Sequence, residues 1–187
     1  MTRTKTGAAW VSIASNSTLV AIKLAAGAVT GSIAIVTEAA HSAIDLVASI
    51  IALASVRAAD EPPDSEHPYG HARFEQLGAA IEGMLIVVGA GVIVYEATRR
   101  LVVGGSIDHL GVGVAVIAAS AVANAGVARF LAKRSKELSS PALAGDAAHL
   151  ATDSLTSVGV LAGLVLVEAT GHNAFDPIAA LCVAVAI

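Results

Sequence analysis

The sequence predicts an all-α membrane protein, a six-transmembrane-helix bundle with the sixth helix truncated. Three observations lead there. Hydrophobic residues make up 56% of the 187 residues and charged residues only 14%, where soluble domains run near a quarter charged. The mean hydropathy is +0.76. The apolar residues gather into six segments, roughly 8–30, 33–57, 73–101, 108–132, 141–168 and 177–187. A helix needs about 20 residues at 1.5 Å each to cross some 30 Å of hydrocarbon, and the first five clear that length.

Each segment has its own boundary signals. The first follows Arg3 and Lys5, carries Lys23 inside it and shows no clear cleavage site, so it reads as an uncleaved helix rather than a signal peptide. The second and third flank the turn-rich stretch "DEPPDSEHPYGHARFE" at 60–75, and the fourth ends at "AKRSKELSSP", which reads as a basic turn. The sixth, "DPIAALCVAVAI", opens on Asp176-Pro177 as a helix-start signal and has 12 residues. Those residues span about 18 Å, so the chain is expected to be a fragment, with 1–187 the membrane domain of a longer protein.

Lys and Arg in short loops mark the cytoplasmic side. A cytoplasmic N-terminus puts Arg3, Lys5, Arg57, Arg73, Arg129, Lys133, Arg134 and Lys136 inside and only Arg99 and Arg100 outside. The expected location is therefore multi-pass in a bacterial-type cytoplasmic (inner) membrane, with segments two and five crossing in opposite directions. The net charge of −4 has no basic block behind it, so no nucleic-acid partner is expected. Cys182 is the only cysteine, which excludes a disulfide framework and a thiolate metal cluster. Aromatic residues, at 3%, are too few for interfacial belts to orient the helices.

The chemistry lies in two near-repeated octets, "EAAHSAID" at 38–45 and "DAAHLATD" at 146–153. In each, a histidine and an aspartate stand four apart: His41 with Asp45, and His149 with Asp153. Residues i and i+4 share a helix face, and ionisable groups inside a span turn toward the bundle interior. Two facing helices would therefore supply two imidazoles and two carboxylates. That is a tetrahedral N2O2 set suited to Zn²⁺, with two negative charges against two positive. The plainer alternative, packing contacts and carboxylates paired to basic residues, is short of partners, because Lys23 is the only basic residue well inside a span. Glu38 and Asp146 stand three residues before each histidine. They suit carboxylates on the cation's approach or outer partners of the ligands, and equally suit hydrogen bonds between packed helices.

Between segments two and three, Asp64, His67 and His71 form D-x2-H-x3-H in a loop broken by Pro62, Pro63, Pro68 and Gly70. They could form a second, solvent-near metal site; on spacing alone a polar loop with two surface histidines fits as well. Asp60, Glu61 and Glu66 add a negative field that gathers cations without ligating them. Asn16, Lys23, Ser42, Glu82, Glu96, Asn124 and Thr152 fall in spans and read as interhelical hydrogen-bonding groups. Lys23 and Glu82 could pair, although nothing in the sequence brings them together. His109 and His172 lie at span ends and read as surface residues.

Six spans, paired H-x3-D motifs on the second and fifth, and the loop "HPYGHARFE" resemble the cation diffusion facilitator transporters over nearly the whole chain. The resemblance implies a six-helix membrane domain followed by a cytoplasmic ferredoxin-like domain, which this chain lacks, and a homodimer in the lipid bilayer. It implies export of a divalent cation in exchange for protons. His41, Asp45, His149 and Asp153 match the family's central transport site, and Asp64, His67 and His71 match its loop site. A His-Asp/His-Asp shell resembles the zinc-preferring arrangement, so Zn²⁺ is the expected substrate, with Cd²⁺, Co²⁺, Fe²⁺ or Mn²⁺ as alternatives and protons as counter-ion. Two rival classes differ from this. An intramembrane metalloenzyme would need an open metal position, and the chain has neither H-E-x-x-H nor G-x-S-x-G, so no enzyme activity is expected. A non-transporting metal sensor would bind metal without moving protons.

Overall fold

A computed structural model describes residues 4–30, 33–103 and 111–187; Arg3, His109 and the side chain of Glu38 lie outside the described set. The described elements are α1 (Lys5–Thr30), α2 (Ile33–Ala59), α3 (Arg73–Val103), α4 (Gly111–Leu138), α5 (Pro141–Thr170) and α6 (Phe175–Ala186). Five are long and apolar enough to cross a membrane, and α6 is a shorter apolar helix. Predicted segments and observed helices agree to within about a turn, except at the end of the fourth.

There the basic stretch predicted as a turn is the last part of α4, which ends at Leu138. Ala, Lys, Arg, Glu and Leu are strong helix formers, and Arg134 and Lys133 reach Glu137 at 2.6 and 3.9 Å. The helix stops only where Ser139 takes a positive φ of 49°. Ser140 then caps α5: its side chain accepts from the Leu143 N–H, and Pro141 occupies the first turn, where its missing N–H costs nothing. Gly171 closes α5 in the left-handed region at φ 71°, its N–H donating to Val167 O. At α6 the expected Asp-Pro start is displaced: the helix begins at Phe175 without a side-chain cap, and Asp176 instead accepts from Arg100 of α3 at 3.3 Å.

Side-chain pairs give the topology. Asp153 meets His41, and His149 meets Asp45, so α5 ascends as α2 descends. Lys23 donates to Ser42 and Asn16 to Ser49, both at 2.8 Å, which runs α1 against α2. Helices α3 and α5 run the same way, because Glu75 bonds Ser140 while Glu82 lies beside Gly145 and His149. Gly159 of α5 lies against Val183 of α6, and Gly163 against Asp176, so these two are antiparallel. The helices alternate, as consecutive spans must.

The burial pattern is inverted relative to a soluble domain. Val29, Val87, Val88, Val102 and Val185 are exposed, whereas Ser12, Asn16, Lys23, Asp45, Glu82 and Asp146 are buried. Apolar side chains facing outward and polar groups facing one another is the arrangement a lipid solvent favours. At one end of the bundle Glu75, itself buried, takes an ion pair from Lys5 at 2.5 Å and the hydroxyl of Ser140. One carboxylate thereby ties together the starts of α1, α3 and α5.

Candidate metal centre

The two octets meet at the α2–α5 crossing. His41 Nε2 lies 4.0 Å from Asp45 Oδ1 and 3.8 Å from Asp153 Oδ1. His149 Nε2 lies 3.7 Å from Asp45 Oδ1 and 3.5 Å from Asp153 Oδ2. Each imidazole therefore approaches the carboxylate of its own helix and that of the facing one. Zinc bonds of about 2.0–2.1 Å in a tetrahedron place neighbouring ligand atoms roughly 3.3 Å apart. The observed imidazole–carboxylate separations exceed that by fractions of an ångström; His41, Asp45 and Asp153 offer ligand atoms within 4.8 Å of one another, and His149 adjoins them through its contacts with both carboxylates.

Burial within the cluster is uneven. Asp45 and His149 are 2% and 8% exposed at the side chain, Asp153 is 12% and His41 is 54%. The cluster thus has a closed floor on the bundle side and opens past His41. Asp45 Oδ1, Asp153 Oδ2 and both ring nitrogens of His149 are buried without a hydrogen-bond partner among the described residues. Unsatisfied polar atoms are costly in a low-dielectric interior, and a cation satisfies such a set at once.

The backbone is held in place beneath the ligands. Asn16 Nδ2 donates to Asp45 O at 3.3 Å and to Ser49 Oγ at 2.8 Å. Ser12 and Ser49 share a hydrogen bond of 2.8 Å, and Ser49 Oγ donates to Asp146 Oδ1 at 3.3 Å. Asp146 is accordingly a fully buried outer carboxylate one turn from His149. Of the pair considered at the sequence level, Lys23 donates to Ser42 of α2, while Glu82 lies against His149, its Oε2 3.9 Å from Nδ1. Glu82 is the site neighbour that periodicity could not find. Its three-residue distance from Ala79 only acquires meaning once Gly145 lets α5 approach both of them.

The loop residues also converge. His71 Nε2 lies 3.4 Å from Asp64 Oδ2 and 3.1 Å from His67 Nδ1, and His67 Nδ1 lies 3.2 Å from Asp64 Oδ1. The turn that achieves this uses Gly70 at φ 80°, with its N–H donating to His67 O at 2.9 Å. Phe74 stacks on the buried His71 ring at 5.6 Å and meets His67 edge-on. The His67 and Glu66 N–H groups donate to Asp64 Oδ1 at 2.6 and 2.9 Å. Those bonds, the His67 N–H foremost, hold the exposed Asp64 carboxyl below the ordinary aspartate range. Asp64, His67 and His71 thus offer three potential ligand atoms within 4.8 Å of one another. His172, by contrast, is exposed at the end of α5, as expected of a surface residue.

Residues 9–187 match the family model of the cation efflux transmembrane domain. The chain belongs to that family. It is 39% identical over 160 residues to an uncharacterized transporter of Synechocystis, covering 86% of this chain and 52% of that protein. It is 34% identical to the metal cation efflux system protein CzcD of Cupriavidus metallidurans, over 86% of this chain and 50% of that one. It is 32% identical to the manganese efflux system protein MneP of Bacillus subtilis, over 84% of this chain and 53% of that one. The chain spans about half the length of these relatives. The cation efflux domain is a multi-pass membrane unit, and at its α2–α5 crossing this chain buries Asp45, Asp146 and His149.

Proposed function

We propose that this domain carries a divalent cation, Zn²⁺ foremost, out of the cytoplasm in exchange for protons. The observation that carries the reading is the register of α2 on α5, which sets two imidazoles and two carboxylates within 4.0 Å of their neighbours inside a membrane bundle. His41, Asp45, His149 and Asp153 form the transport site. Asp64, His67 and His71 form a cytoplasmic loop site that takes the ion first. Relatives named for metal cation efflux and manganese efflux support the reaction class; the mixed nitrogen and oxygen donor set supports Zn²⁺ over Mn²⁺, which favours carboxylate and water.

Protons and metal compete for the same ligand atoms, so binding one expels the other. The domain alternates between a state open to the cytoplasm and one open outward, with metal leaving as protons arrive. The four groups titrate as a coupled set, and no single residue owns the exchanged proton. The N-terminus is cytoplasmic, the membrane is a bacterial inner membrane, and the working unit is a homodimer completed by a cytoplasmic domain. Competition uptake of Zn²⁺, Cd²⁺, Fe²⁺ and Mn²⁺ into vesicles holding the complete protein tests the metal assignment. Zinc is expected to compete best, and a preference for Mn²⁺ over Zn²⁺ overturns it.

A further inference from the structure

Glu82 on α3 has no exposed surface, and among the described residues neither of its carboxylate oxygens has a hydrogen-bond partner. Its Oε2 lies 3.9 Å from Nδ1 of His149, while Nε2 of the same ring lies 3.7 and 3.5 Å from Asp45 and Asp153. The imidazole therefore sits between two sets of acceptors on its two nitrogen edges. Helix α5 is shaped to admit this neighbour. One turn before His149, a Cβ on Gly145 would meet Glu82 Cβ and Cγ at 3.1 Å and the Ala79 backbone at 3.0 Å.

Resting on the four-ligand reading above, we propose that Glu82 is a positioning residue of the transport site: it accepts the Nδ1–H of His149 and so reserves Nε2 for the cation. A neutral imidazole carries one N–H, and the nitrogen that bears it cannot bind metal. A carboxylate on the far nitrogen fixes the tautomer, aligns the ring and makes the ligating nitrogen a better donor. A charge-assisted N–H···O bond is about 2.7–2.9 Å long, and rotation of the Glu82 side chain covers the roughly 1 Å that remains. The effect falls on nitrogen ligation, so it favours Zn²⁺ over cations that bind through oxygen.

The test uses the complete, detergent-solubilised protein carrying Asp64→Ala and His67→Ala, which removes the loop site, with the zinc binding that His149→Asn abolishes taken as that of the central site. Glu82→Leu is expected to weaken Zn²⁺ binding about 10- to 100-fold, the range for losing such an outer partner, and Mn²⁺ binding by clearly less. Glu82→Gln keeps an oxygen acceptor at near-constant volume and is expected to fall in between. Nitrogen-15 histidine spectra of the metal-free protein, with His149 assigned by its loss in His149→Asn, are expected to show Nδ1–H in the parent and a tautomer mixture in Glu82→Leu. Unchanged zinc affinity in both Glu82 variants, or an unchanged His149 tautomer, overturns the proposal. The His149→Asn variant reports on the reading beneath it. Undiminished zinc binding there overturns the four-ligand site itself, whereas loss there with intact binding in the Glu82 variants overturns only the role of Glu82.

Discussion

At the scale of single residues, the four central side chains differ in what they can lose. Asp45 is buried to 2% and faces both histidines, so Asp45→Asn removes a charge that no neighbour replaces. Its zinc affinity, read by direct titration, is expected to fall further than the roughly 10- to 100-fold loss typical of an outer partner. The loop behaves differently with pH. Backbone N–H donors hold Asp64 below the ordinary carboxylate range, so the bonds it makes to the loop are present at neutral pH. They are lost only as pH falls through that depressed value. Between pH 5 and 8 (about the range around the ordinary imidazole value), Asp64 stays ionised. Asp64→Asn removes that charge at every pH in this range and is therefore expected to weaken zinc binding by the loop, read by direct titration at neutral pH; unchanged affinity would contradict a ligand role for Asp64.

At the scale of helices, the octets explain how much of the site could be read in advance. An i,i+4 pair states its own geometry, because helix periodicity alone puts both side chains on one face. Two such pairs on antiparallel spans, the second and the fifth, need only a crossing to become one site, and His41 with Asp153 and Asp45 with His149 supply it. Glu82 and Glu75 were not legible, because their partners lie on other helices at separations that no spacing rule connects. Glu75 reaches Lys5 and Ser140; Glu82 reaches His149 only through the close approach that Gly145 permits. The end of α4 is hard to place from sequence because a run of charges resembles a loop, although Lys, Arg and Glu also propagate a helix well.

Two substitutions probe these helix contacts. Ser140→Ala removes the cap of α5 and one partner of buried Glu75. It is expected to cost about 1 kcal/mol or more of stability. Gly145→Ala places a methyl 3.0 Å from the Ala79 backbone and 3.1 Å from the Glu82 side chain, tight enough that the neighbours must shift, and is expected to cost about 1–3 kcal/mol. At Gly126 of α4 an added Cβ meets nothing, so the same change is expected to be neutral or stabilising by about 0.5–1 kcal/mol. Thermal unfolding in detergent orders the three, and a Gly145→Ala variant as stable as Gly126→Ala would contradict the packing described.

At the scale of the whole molecule, an apolar exterior encloses a polar file that runs from Ser12 and Asn16 through Ser49 and Asp146 to the α2–α5 crossing. Hydropathy alone made the membrane bundle legible, since five helices exceed the thickness of a bilayer. The proposed direction of transport and proton exchange concern the assembled protein in a membrane, and that is where the central claim is tested. The measurement is zinc flux together with internal pH in sealed vesicles holding the complete protein, its Asp45→Ala and its His149→Ala variants. Zinc movement coupled to opposite proton movement in the parent, with both abolished in either variant, is the expected result. Undiminished zinc flux in either variant would contradict the four-ligand carrier.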